Sequence, residues 1–463
     1  MAKKTPDPKP APELLDLIVQ AGLVVAPHGV HRADIGILDG RIVEIGRNIT
    51  TKAKQTLNAV DHYVFPGILD AHVHFNEPGR ADWEGIASGS AALAAGGGTC
   101  FFDMPLNSEP PAIDAAAFRE KRRLAEQQSC TDFALWGGLV PGNLDKLAGL
   151  RAAGAIGLKA FMCASGIDSF QNVDEPTLRE GMKRAAKLGL LVAVHAEDDA
   201  LAAKLTAEQK AKRRTNAQAF LASRPVEVEL AAIRMAIDLA GETGCALHIV
   251  HVSCPEGIAL VTEARANRVD VTAETCSHYL LLNEKDVVRL GAPAKCTPPL
   301  RDEKRRLAMW AELRAGHIHT VGSDHSPAPP EMKTAKNFFE IWGGIAGVQH
   351  GFELLFNECA DAWGRDLPLF AAVLARNVAR RFRLDERKGE LAVGRDADFC
   401  LLRQTEPRTI DAAELWTRHS ISPYVGRTSR VRVTHTYVRG APVWAEGRLT
   451  NRAGSGQFLK PPR

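Results

Sequence analysis

The sequence predicts an α/β fold, a (β/α)8 TIM-like barrel with a small β-sandwich domain formed from both chain ends. Three observations predict it. Through the middle of the chain, about eight strand-like apolar runs alternate with amphipathic helical stretches; short β patterns with turn signals occupy both ends; and no internal repeat or low-complexity block interrupts them. The 463 residues are 45% hydrophobic and 24% charged, which is the composition of a folded globular chain and excludes wholesale disorder.

The opening residues 1–12 carry prolines at 6, 8, 10 and 12, where a signal peptide would need an apolar run, so they read as a disordered tail. Residues 13–64 hold LLDLIVQAGLVV and DIGILDGRIVEIG, with Asp39-Gly40 as a hairpin signal, and form the first part of the small β domain. Residues 65–387 form the barrel, through VFPGILDAHVHF, GTCFFDMP, DFALWGGLV, GLKAFM, LLVAVHAE, ALHIVHVS, VDVTAETCSHY and IHTVGSDHSP. Between these runs, AAAFREKRRLAEQQ, EPTLREGMKRAAKLG and EVELAAIRMAIDLAGETG place apolar residues at helical spacing. Residues 388–450, with GRDADFCLL and VRVTHTYVRGAPVWAEG, supply the second part of the β domain, and 451–463 a C-terminal tail. Two separate β caps would fit the same pattern.

Charge excludes some partners. Lys+Arg total 58 against Asp+Glu 55, a net +3, so no global field steers the chain to nucleic acid, and KAKRR at 210–214 reads as a solvated helix end. No apolar run approaches the ~18 residues of a membrane span. Nine cysteines without a CxxC pair fit a reducing cytoplasm better than a disulfide framework.

The chemistry gathers at strand ends. His72 and His74 are separated by one residue, and a strand's two-residue period turns both imidazoles to one side, where a single ion can take both. Lys159 lies inside an apolar strand, where an unpaired ammonium is costly and needs a partner or a modification. His195, His251 and Asp324 end later strands, the position from which barrel enzymes build their sites. His248 rivals His251 but, three residues away on a strand, should face the opposite side and be structural. His278 and His325 read as satisfied core or supporting histidines, and Cys163, Cys254 and Cys276 as packing residues.

The order His-x-His, Lys, His, His, Asp on successive strands resembles the metal-dependent amidohydrolase superfamily, in its cyclic-amidase branch of dihydroorotases, hydantoinases and allantoinases. The resemblance runs from about Leu14 to Phe458. It implies two divalent ions and a reaction of carbon dioxide with the strand lysine, an N6-carboxylation whose carbamate bridges both metals. By this likeness His72, His74, Lys159 and Asp324 bind one ion, and Lys159, His195 and His251 the other. Imidazole and carboxylate ligands favour zinc, and cobalt, manganese or nickel also fit. Asp324 and Lys159 would be the catalytic residues, with Asp324 carrying the proton.

Local motifs separate the substrates. Dihydroorotases typically carry an arginine two residues after the second histidine, to fork onto a carboxylate; this chain has Asn76, and Arg80 nearby reads as a turn residue. Hydantoinases usually carry a tyrosine five residues after the bridging lysine; this chain has Ala164. The blocks HFNEPGRADWEG, DMPLNS, KAFMCASG, AKCTPPLRD, SDHSPAPPEMK, WGGIAG and SPYVGRT together resemble allantoinases. Ser277 stands where related chains often have proline. The likeness implies a hydrolase acting on the carbon–nitrogen bond of a small cyclic amide, allantoin, with Asn107, Thr297 and Ser326 at the substrate and a homotetrameric assembly. Alternatives are a hydantoinase (dihydropyrimidinase) or dihydroorotase, or a scaffold that has lost catalysis, which the six intact ligand positions disfavour.

Overall fold

The computed structural model describes residues 14–462, with the side chains of 362–365 left aside. The proposed 1–12 tail lies outside the described residues. The chain begins with β1 (Leu14–Ala26), β2 (Gly29–Leu38), β3 (Arg41–Gly46), β4 (Lys52–Asn58) and β5 (Tyr63–Pro66). It continues through β6 (Ile68–Val73), β7 (Gly98–Asp103), β8 (Asp132–Leu135), β9 (Gly137–Gly138), β10 (Leu158–Phe161), β11 (Val192–His195), β12 (Leu247–Ile249), β13 (Val271–Cys276) and β14 (Thr320–Gly322). It ends with β15 (Phe399–Thr409), β16 (Thr428–Val438), β17 (Ala441–Ala445) and β18 (Arg448–Leu449).

Both chain ends meet in one sheet. Its order is β18-β17-β16-β15-β5-β1-β2-β3, with β4 beside β1, so a C-terminal strand hydrogen-bonds directly to an N-terminal one. Asp39 and Gly40 take φ of 51° and 74° between β2 and β3, the left-handed pair that a tight hairpin turn requires. Leu17, Ile35 and Ile37 pack against Phe399, Leu401 and Tyr437, which gives this unit an apolar core of its own.

The middle strands close a parallel barrel. One sheet runs β6-β7-β8 and the other β14-β13-β12-β11-β10-β9; β8 and β9 are one strand interrupted at Trp136. A parallel bridge from Val73 to His325 and a 2.8 Å bond from His74 N to His325 O join the two edges. Helices fill the crossovers at Ala115–Gln128, Glu175–Leu188 and Val226–Thr243, as the spacing predicts. The C-terminal segment is also packed, because Phe133 N donates to Gln457 O and Leu459 N to Phe133 O alongside β8.

Alternation along each strand decides what faces the axis. Leu158, Ala160, Val192 and Val194 pack with helix residues such as Met182 and Ile233, so the intervening Lys159 and Ala193, and His195 beyond them, point inward. Deeper in the barrel Ala71, Phe102 and Trp136 pack on Val378 and Phe382.

One buried cluster ties barrel to sheet. Lys388 Nζ lies 2.6, 2.9 and 2.6 Å from carboxylate oxygens of Asp132, Asp396 and Asp398, all buried. Removing the cation leaves Asp398 without a charged side-chain partner and Asp132 and Asp396 with Arg439 and Arg387 alone, so Lys388→Met should destabilise the fold by roughly 3–5 kcal/mol, measured by denaturant unfolding. A loss near zero would show that the carboxylates tolerate burial alone.

Candidate metal centre and active site

The strand ends open onto a cavity of about 70 Å³ lined by His72, His74, Asn107, His195, His251, Thr297, Asp324 and Ser326, together with Phe161, Ser165 and Trp342. The structure thus brings every candidate residue read from the sequence to one place, with Lys159 fully buried close by, its Nζ 5.0 Å from the Phe161 ring centroid. Backbone turns deliver two of the ligand candidates. His251 and Asp324 follow their strands with φ of 43° and 45°, and Asn107 has 65°, left-handed values that cost roughly 1–3 kcal/mol each and persist where the surroundings enforce them.

The donors already converge. His72 Nε2 and His74 Nε2 lie 3.2 and 3.4 Å from the same oxygen, Oδ1 of Asp324. The ring of His251 lies 4.6 Å from that of His195 and 5.4 Å from that of His72. Burial lowers the pKa of His74, His195 and His251, favouring neutral imidazoles with a free lone pair. Burial alone would raise Asp324, but its interactions with the His72, His74 and His251 imidazoles hold it well below the usual carboxylate range. Burial also brings Lys159 down to about 8, and its Nζ has no hydrogen-bond partner. An amine enclosed this way is poised to react as the neutral base.

Two acidic residues that the sequence reading did not single out orient these ligands. Glu274 Oε1 accepts from His72 Nδ1 at 2.8 Å, leaving Nε2 for an ion. Glu197 Oε2 accepts from His195 Nε2 at 2.8 Å and is paired with Arg224 at 2.9 Å, leaving Nδ1. Both carboxylates are buried. A glutamate inside the apolar strand VTAETC, and another two residues after a strand-end histidine, were the available signals. Glu274→Gln and Glu197→Gln should each weaken metal binding about 10- to 100-fold, read by competition with a chromogenic chelator.

Other expectations need correction. His248 does not face away from His251: β12 ends at Ile249 and the left-handed turn at His251 brings it back inward, while His248 bonds Thr272 Oγ1 at 2.7 Å and stands 3.7 Å from Glu274. His325 is satisfied by Glu84 at 3.2 Å and by Gly347 N at 3.2 Å. His278 is fully buried and no side chain bonds either ring nitrogen, the Ser323 backbone alone facing it. Cys163 and Cys276, read as packing residues, are buried beside imidazoles: ligand atoms of Cys163, His195 and Glu197, and of Cys276, His278 and Asp324, lie within 4.8 Å of one another.

The substrate-side residues are framed by loops. Asn107 Nδ2 sits 3.4 Å from His74 Nδ1, and Arg80 donates to Asn107 O while stacking over Trp83. Gly344, on the cavity wall, has a φ of 149°, and a Cβ there would meet Ser326 O at 2.1 Å, so only glycine closes that wall. Asn76 is buried and does not line the cavity.

Residues 63–443 match the Amidohydrolase family. The chain belongs to the amidohydrolase family. Residues 2–64 of this amidohydrolase also match the urease alpha-subunit N-terminal domain. Among curated proteins it is 48% identical to an allantoinase of Deinococcus radiodurans, over 96% of this chain and 99% of that protein. It is also 48% identical to an allantoinase of Solibacter usitatus, over 96% and 97%. Among solved structures the amidohydrolase resembles an L-hydantoinase (dihydropyrimidinase) from Arthrobacter aurescens, with a TM-score of 0.94 and 32% identity over 96% of this chain and 100% of that one. A D-hydantoinase from Thermus sp. gives 0.89 and 26% over 96% and 99%. No helix among the described residues is long and apolar enough to cross a membrane.

Proposed function

We propose that this amidohydrolase is an allantoinase, hydrolysing the cyclic amide of allantoin to allantoate at a two-metal centre. The observation that carries it is the convergence of His72, His74, His195, His251 and Asp324 on one cavity, in a chain 48% identical to an allantoinase over nearly its whole length. The donor set fits divalent ions: neutral imidazoles, one ionised carboxylate, and buried polar atoms at Lys159 Nζ and His251 Nδ1 with no other partner. His72, His74, Asp324 and Lys159 would hold one ion, and Lys159, His195 and His251 the other. Zinc heads the candidates, followed by cobalt, manganese and nickel.

Lys159 would serve both ions after its neutral amine adds carbon dioxide and loses a proton, which exchanges a buried cation for a bridging anion. When bound, the ions supply Lewis acidity and lower the pKa of water toward neutrality. Asp324 accepts the proton of the attacking water and returns it to the leaving ring nitrogen. Asn107, Thr297 and Ser326 offer neutral donors and acceptors suited to an uncharged ring. We further place the enzyme in the cytoplasm, supported by nine free, buried cysteines, and assign it a homotetramer, which sedimentation would test.

A hydantoinase is the second reading, favoured by the 0.94 TM-score to the Arthrobacter enzyme, but the exposed Ala164 offers no phenol to an oxyanion. The deciding measurement is kcat/KM of metal-loaded protein on allantoin, hydantoin and dihydroorotate. Allantoin should lead by at least about 10²-fold, the margin expected when a site's buried polar groups are left unpaired by the wrong ring. A lead for either other ring would reassign the substrate.

A further inference from the structure

Next to Asp324, outside the residues that line the substrate cavity, lies a second set of potential ligands. Cys276 ends β13, His278 opens the following helix, and ligand atoms of Cys276, His278 and Asp324 all lie within 4.8 Å of one another in a fully buried environment. Neither Cys276 nor His278 lines the cavity that holds the substrate residues. Beyond the Ser323 backbone that it faces, His278 has no hydrogen-bond partner for its ring nitrogens, and a buried polar group left without a hydrogen bond costs on the order of 1–3 kcal/mol. Ordinary packing does not explain a fully buried imidazole with no side-chain partner.

We propose that Cys276, His278 and Asp324 form a third cation site, selective for thiophilic divalent ions and inhibitory when filled. A thiolate, an imidazole and a carboxylate are the donors that zinc, cadmium or cobalt take, whereas manganese and magnesium avoid sulfur. Bonds of about 2.0–2.3 Å place tetrahedral ligands roughly 3.3–3.8 Å apart, so the three side chains need only close by about an ångström. Binding replaces the Cys276 S–H bond with an S–metal bond and releases one proton to solvent. Occupancy engages Asp324 and pulls its carboxylate from His72 and His74, removing the proton carrier. The inhibitory consequence rests on the allantoinase reading; the binding itself does not.

The test loads purified enzyme with two cobalt ions per chain and then titrates further cobalt. Cys163 stands beside His195 and Cys296 lines the substrate cavity, so a sulfur-to-cobalt charge-transfer band reports the new site only where it disappears with Cys276. We expect a third cobalt per chain, the band, one proton released, and a fall in kcat of at least about tenfold, in keeping with loss of a general acid–base group. Excess manganese should do none of this. Cys276→Ser and His278→Gln should keep two-ion activity and lose the band, the third ion and the inhibition together. Cys276→Ala and His278→Asn provide a second pair should either of the first fail to fold. No band at excess cobalt, or a band and inhibition that persist in folded Cys276 variants, would overturn the site. If allantoin is not turned over at all, the band and stoichiometry still decide the binding.

Discussion

Lys159→Ala should lose turnover by on the order of 10³-fold or more and retain less than one metal ion per chain, because the several kcal/mol that metal chemistry contributes disappears with the proposed bridge. Lys159 sits on β10 between Leu158 and Ala160, both packed toward the helices, so no neighbouring side chain can take its place on the axis. Its Nζ is buried without a hydrogen bond and sits in surroundings that bring it down to about 8. Such a lysine suits the proposed carbamate better than an ammonium. Short carboxylic acids added to the alanine variant should therefore enter the space vacated and restore part of both metal and rate, as measured by plasma emission and by ureide product. An alanine variant with full metal content and unaltered kcat would end the bridging assignment.

Asp324→Asn should reduce kcat by about 10²–10⁴-fold while changing KM much less, since proton transfer is lost and the ring contacts of Asn107, Thr297 and Ser326 remain. The carboxylate's low pKa gives the sign of the pH dependence. Held well below the usual range, it is ionised throughout the neutral region and able to accept a proton, and activity should fall only when acid protonates the imidazoles or Asp324 itself. Asparagine keeps an oxygen toward His72 and His74, so one ion is weakened and not abolished. An unchanged kcat in a variant with its metal would remove Asp324 as the proton carrier.

Much of this was legible in the sequence because the ligands obey strand grammar. His72 and His74 share a side through a two-residue period, and Lys159 stands out as a cation within an apolar run. Residues brought in by irregular backbone were harder. The turn at His251 follows no period, which is why the relation of His248 to His251 was misjudged. Glu197 and Glu274 matter through hydrogen bonds to His195 and His72, and the second of these spans 202 residues of sequence. That His278 has no side-chain partner is visible only when its surroundings are known.

Alternating strand and helix periods, with histidines and an aspartate gathered at strand ends, determined the barrel, its eight strands and the residue types at its mouth, since each is a local property of the chain. Which nitrogen each imidazole leaves free, what lies next to Asp324, and how both termini join one sheet were decided by tertiary structure alone. Those features are contacts between segments tens to hundreds of residues apart, and no local pattern encodes the distance between them.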